Sequence, residues 1–134
     1  MAFLVAERSK DPNTQCGAVI VSPDNRQVSI GYNGFPKKIE DTELRWQRPT
    51  KYDLVIHAER NAILNSKKDL SGWTLYVTMV PCHLCSLDII QSGIKKIIYA
   101  NEPPNPLAYK YELSISNFRE AGVEVIKFKD LEVK

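Results

Sequence analysis

A chain of 134 residues, 43% hydrophobic and 25% charged, has the size and balance of one compact domain that builds its own core without staples. Its net charge of +2 is too small to draw it to nucleic acid or an anionic membrane by bulk electrostatics, and no apolar run approaches the roughly 20 residues of a membrane helix. Three cysteines, an odd number, speak against a disulfide framework and for metal binding or free thiols in a reducing compartment, so a cytoplasmic location is expected.

The opening stretch, MAFLVAERSKDP, lacks the basic start of a signal peptide and reads as helix over residues 2–8. CGAVIVS, residues 16–22, is a short apolar run closed by the turn Pro23-Asp24-Asn25. QVSIGYN, 27–33, alternates and returns as its antiparallel partner. The polar stretch 34–55, broken by Gly34, Pro36 and Pro49, reads as loop, and helix follows from about 57 to 67. WTLYVTMV is a β-rich strand. Leu84, Leu87 and Ile90 recur every three residues along a helix that Gly93 stops. KKIIYA is a strand, NEPPNP a loop, and Tyr111, Ile115, Phe118 and Ala121 form the stripe of a helix ended by Gly122. VEVIKF is the last strand. Strands joined by crossover helices lie parallel in one sheet. The expectation is α/β in class: a mixed five-stranded sheet, an antiparallel first hairpin followed by parallel strands, flanked by helices, in a single domain over 1–134.

Two short motifs carry the chemistry. IHAERNA, 56–62, sets His57 and Glu59 two apart at a helix start, and VPCHLCS, 80–86, sets Cys82 and Cys85 three apart at another. Zinc favours nitrogen and sulfur ligands in a tetrahedron, and a catalytic zinc keeps three protein ligands and one open place. His57, Cys82 and Cys85 supply three. If two adjacent parallel strands feed the two helices, both N-termini point at one spot, where their partial positive charge stabilises thiolates. Two thiolates offset the charge of the dication, so a carboxylate that moves the protons of a bound water becomes useful, and Glu59 stands in that position. Either motif alone would equally suit a redox pair or a structural zinc site; together they favour chemistry.

HAERNAIL (57–64) and TLYVTMVPCHLC (74–85) resemble the zinc-dependent cytidine and deoxycytidylate deaminase superfamily, whose signature is H-x-E followed by P-C-x-x-C. RSKDPNTQCGAVIV (8–21), GYNGFP (31–36) and KYDLVIHAERNAI (51–63) look like its deoxycytidylate (dCMP) branch, so the resemblance covers about residues 2–99. It implies a three-layer cytidine deaminase-like fold, one zinc per chain on His57, Cys82 and Cys85, and hydrolytic deamination of dCMP to dUMP and ammonia. Glu59 would carry protons to N3 and to the departing amine. The backbone N–H of Ala58 would hold O2 of the base, and a carbonyl near Val80 or Pro81 would receive the amine. Asn33 would bond the sugar. Arg8, Ser9, Lys10 and Asn13 are the natural donors to the 5′-phosphate. Relatives in the family are commonly homohexamers activated by dCTP with magnesium and inhibited by dTTP. Lys37, Lys38, Arg45 and Arg48 offer cations for effector phosphates, and would equally suit a solvated loop.

The chain departs from the family in three places. The Tyr-His pair expected after Tyr99 is replaced by NEPPNPLAYKY, with Tyr109, Lys110 and Tyr111 as candidate substitutes. The sequence starts inside the family's first helix. Residues 34–55 carry no Cys or His for a second zinc. Cys16 reads as a packing residue at the edge of the first strand, His83 as a residue turned away from the metal, and Trp73 and Tyr76 as core. Trp46, in the long loop, is expected against a neighbouring subunit. Competing readings are a deaminase of a free nucleoside or a modified cytosine nucleotide, a tRNA adenosine-type deaminase, and a non-enzymatic structural zinc module.

Overall fold

The computed structural model describes residues 1–103, 105, 107 and 110–130. Helix α1 (Ala2–Ala6) precedes the hairpin strands β1 (Gly17–Val21) and β2 (Val28–Tyr32). Two helices follow, α2 (Thr50–Leu54) and α3 (Ala58–Ser66), and then β3 (Thr74–Met79), α4 (His83–Ser92), β4 (Lys96–Asn101), α5 (Tyr111–Ala121) and β5 (Glu124–Lys127), with a 3-10 turn at Phe128–Asp130. The sheet order is β2-β1-β3-β4-β5. β1 is antiparallel to both β2 and β3, and β3–β4 and β4–β5 are parallel. The mixed sheet and its helical cover are those expected from the alternation of elements.

β2 and β3, the strands that precede the two metal-motif helices, point the same way but are not neighbours, because β1 lies between them. The central strand β1 is buried along nearly all its length, whereas the edge strand β2 alternates exposed and buried. Helix α3 covers the β1–β2 end on one face. Ser29 Oγ donates to the Ala62 carbonyl at 2.6 Å, and Asn61 and Asn65 donate to the carbonyls of Tyr32 and Ile30. The contact is made by small groups. A Cβ at Gly31 would collide with the backbone of Ala58 and Ala62, and one at Gly17 with the backbone of α1 on the opposite face. The sheet is thus sandwiched between α1 and the α3–α5 layer. The core between the sheet and that layer includes Ile20, Leu75, Ile89, Ile97 and Phe118.

Four local readings are corrected. Residues 50–54 form α2 inside the stretch read as loop; a single turn and a half after Pro49 is too short to show an apolar period. On α4 the inward face is Cys85, Ser86 and Ile89, while Leu84 and Leu87 are 61% and 54% exposed. The helix is apolar on more than one side, and the face turned inward is the one that carries a cysteine to the site. Trp46 is buried within the chain, its ring stacked on Phe35 at 4.4 Å between centroids, and so is not left for a neighbouring subunit. Trp73 is core as expected, whereas Tyr76 is 38% exposed on the α1 face.

Gly31→Ala forces α3 away from the sheet. It is expected to destabilise the fold by about 3 kcal/mol, which lowers Tm by ~10 °C in a thermal scan; an unchanged Tm would show that α3 can shift freely.

Candidate zinc centre

His57 is the N-cap residue of α3, held in extended backbone after the short bridge in which Gly34 and Ile56 exchange hydrogen bonds of 3.1 and 2.7 Å. Cys82 is the N-cap residue of α4, directly beyond β3 and Pro81, and Cys85 lies one turn along on the same helix. Both helix N-termini therefore meet outside the carboxyl end of β3, although a third strand separates the strands that lead to them.

Helix α5 braces the second motif from behind. Ser114 Oγ donates to the Pro81 carbonyl at 2.7 Å, just before Cys82, and Asn117 Nδ2 donates to Ser86 Oγ at 3.2 Å, just after Cys85. Ser114 and Ser86 are fully buried, so these bonds are shielded from water.

His57 Nδ1 lies 3.5 Å from Cys82 Sγ and 3.3 Å from Cys85 Sγ. The edges of a tetrahedron with zinc at its centre are about 3.5–3.6 Å between nitrogen and sulfur, given usual bond lengths. The donor set, one imidazole and two thiols within 4.8 Å of one another, fits zinc in chemistry and in spacing. The Cys85 thiol holds Cys82 well below its ordinary range, and the same bond, with burial, pushes Cys85 up. A dication removes that asymmetry by making both thiolates.

Glu59 is buried on the first turn of α3. Burial pushes its carboxyl above the usual range, opposed by the nearby imidazole of His57. A carboxyl so placed can both take and return a proton. Cys16, half-buried just before β1, is a neutral thiol: burial, helped by the charge of Glu59, pushes it up to about 12. It packs on the core as expected and also lines the cavity. His83, between the two cysteines, lies outside the ligand set, but it too reaches the cavity wall, and its buried Nδ1 has no partner among the described residues.

The ligands open into a cavity of about 580 Å³, a volume typical of small-molecule sites. Ala58, Glu59, His57 and Cys82 line its metal end, and Asn33, Thr14 and Asp11 line one side. The amide of Asn33 is engaged within the protein: Oδ1 accepts from the Cys16 N–H at 2.8 Å, and Nδ2 donates to the Thr14 carbonyl at 2.9 Å and to Asp11 Oδ2 at 3.2 Å. Ser9, also buried, donates to the Asn33 carbonyl at 2.7 Å. The side chain of Asn33 thus clamps the 11–16 loop.

Arg8, Ser9, Lys10 and Asn13 are not among the cavity-lining residues. Arg8 stands over the Tyr32 ring, and Lys10 pairs with Asp41 at 3.1 Å. Val80 lines the cavity where Pro81 does not. Lys110 and Tyr111 lie off it, Tyr111 within 3.5 Å of the Tyr99 hydroxyl, and Tyr109 falls outside the described residues.

The sequence reading missed the pair Lys51–Asp11, joined at 2.7 Å and almost fully buried in the cavity wall. Both residues lie in stretches that resemble the family, but a pairing across forty positions of sequence has no local signature.

These features define a zinc-binding nucleoside-type deaminase domain. Residues 1–101 match the family described as the cytidine and deoxycytidylate deaminase zinc-binding region, and the chain belongs to it. It is 48% identical over 109 residues to the deoxycytidylate deaminase of Pongo abelii, across 76% of this chain and 61% of that one. The chain thus spans about three fifths of that relative's length. It is 44% identical over 128 residues to an uncharacterized deaminase of Aliivibrio fischeri, across 93% of this chain and 86% of that one. The crystal structure of dCMP deaminase from the cyanophage S-TIM5 in complex with dCMP and dUMP matches with a TM-score of 0.75 at 31% identity, over 94% of this chain and 90% of that chain.

Lys51→Met leaves the Asp11 carboxylate buried without its cation. The expected cost is about 3–5 kcal/mol in the denaturant unfolding free energy; a loss below about 1 kcal/mol would place this pair with ordinary surface bridges.

Proposed function

We propose that this chain catalyses the zinc-dependent hydrolytic deamination of dCMP to dUMP and ammonia. The observation that carries the reading is the burial of Glu59 beside the three-ligand set, at the closed end of a cavity large enough for a nucleotide. The relatives named above, one with dCMP and dUMP bound, support the pyrimidine nucleotide as substrate.

His57, Cys82 and Cys85 would hold zinc, which would supply the Lewis acidity that makes a water nucleophilic near neutral pH. Glu59 takes one proton from that water and delivers it to N3 as the oxygen adds to C4. Glu59 then moves the remaining hydroxyl proton to the amino nitrogen. The C4–N bond breaks with its electron pair on nitrogen, ammonia leaves, and the C4 carbonyl forms. The raised affinity of Glu59 for protons suits both transfers.

The Ala58 N–H, in the first turn of α3 and without an intrahelical acceptor, is the donor to O2 of the base. The carbonyl at Val80, which lines the cavity, is the acceptor for the departing amine, while that of Pro81 is taken by Ser114. Asn33 shapes the sugar wall through its clamp on the loop and offers its remaining Oδ1 lone pair to the sugar. Arg8, Lys10 and Asn13, exposed on the same loop, are outer candidates for the phosphate, with Ser9 fixing the loop beneath them.

The reading carries with it one zinc per chain, a homohexamer, dCTP and dTTP as effectors with magnesium, and a cytoplasmic location. No helix among the described residues is long and apolar enough to cross a membrane. A polynucleotide substrate finds poor support in a net charge of +2.

Glu59→Gln is expected to keep one zinc per chain by elemental analysis and to lose about 10³–10⁴-fold in kcat for dCMP, followed by ultraviolet absorbance. A near-normal rate would remove Glu59 from the chemistry. Cys85→Ala is expected to lose the zinc and the activity together.

A further inference from the structure

The cavity that holds His57, Glu59 and Cys82 is also lined by Arg48, just before α2, and by Lys51, Tyr52 and Val55 of that helix and its end. Arg48 precedes α2 and lies nine positions before His57 in the chain. The charges on the described wall are already matched except here. Lys51 is held by Asp11 at 2.7 Å, and Glu59 belongs to the metal end. Lys10, the lysine of the neighbouring loop, is bound to Asp41 and lies off the wall. Arg48 makes no ion pair among the described residues; its guanidinium lies 5.7 Å from the centre of the Tyr52 ring, which limits where it can point.

We propose that Arg48 is the specificity-determining cation of this site, binding the 5′-phosphate of a pyrimidine nucleotide whose base lies at the His57–Cys82–Cys85 end. The inference rests on the deaminase reading above and adds to it the residue that separates a nucleotide from a free nucleoside. A planar guanidinium takes two phosphate oxygens through a fixed fork of N–H donors, where a lysine acts as a point charge. A neutral nucleoside would find the same metal end but no partner for Arg48. Because Arg48 is exposed, its replacement leaves the core intact.

The test measures kcat/KM for dCMP and for deoxycytidine with the zinc-loaded full chain, and the affinity for dUMP against deoxyuridine by calorimetry. Arg48→Ala is expected to lower the dCMP to deoxycytidine ratio by about 10- to 150-fold, mainly through KM, with the same fall in the binding ratio. Arg48→Lys is expected to recover part of it. Arg26→Ala, in the β1–β2 turn, is expected to leave both ratios unchanged. An unaltered ratio in Arg48→Ala overturns the assignment, as does a larger fall in Lys10→Ala. Equal turnover of dCMP and deoxycytidine by the unsubstituted protein is a different failure, because it rejects the nucleotide as substrate before Arg48 is considered.

Discussion

The close approach of α3 to the sheet at Gly31 sets where His57 stands, and the site depends on it. Gly31, Ala58 and Ala62 let helix and strand backbones touch, and the hydroxyl of Ser29 bonds the helix where a larger side chain would hold it off. Only then does the N-terminus of α3 come level with that of α4, so that an imidazole from one helix and two sulfurs from the other lie within 4.8 Å. Zinc tolerates little error in these distances. The edge strand is secured by the same helix, because Asn61 and Asn65 occupy carbonyls of β2 that would otherwise face solvent or another chain.

Electrostatics divide the cavity into two ends. At the closed end, two helix N-termini and two cysteine sulfurs surround the metal position, and Glu59 is buried beside them. Along the side, Asp11 and Lys51 cancel each other, so the wall is polar without a strong field. The Asn33 amide ties that wall to β1 by bonding Cys16, Thr14 and Asp11 together. One loop is thereby fixed against another by hydrogen-bonded polar groups, and fixed geometry of this kind allows a bound base to meet a proton donor at the right distance.

Much of this was legible in the sequence, for identifiable reasons. The strands show as β-branched runs bounded by turns, and Gly93 and Gly122 mark where α4 and α5 end, both in left-handed conformation. The metal ligands were legible because their spacing is local to each motif. What depends on long-range pairing was not. The Asp11–Lys51 bridge and the Asn33 clamp join residues separated by tens of positions, and the single strand between β2 and β3 follows from the path of the hairpin, which alternation alone does not fix. Helix α4 was placed correctly but turned the wrong way, because Leu84 and Leu87 are as apolar as the residues that face the core. Trp46 read as a subunit contact only because its partner, Phe35, lies across a loop with no periodic pattern.

A purely structural role for the metal sits poorly with Glu59. A zinc that only tied α3 to α4 would need no carboxyl beside it. Burial of that carboxyl opposes its ionisation, as its raised proton affinity records, and an apolar side chain of similar size would avoid the cost. The cost persists at the one place where a cavity reaches the ligands. A buried acid beside the ligand set can exchange protons with whatever the cavity admits. Ala58, Val80, Asn33 and Arg48 also line that cavity. A metal that merely stapled α3 to α4 would need neither the cavity nor the buried acid.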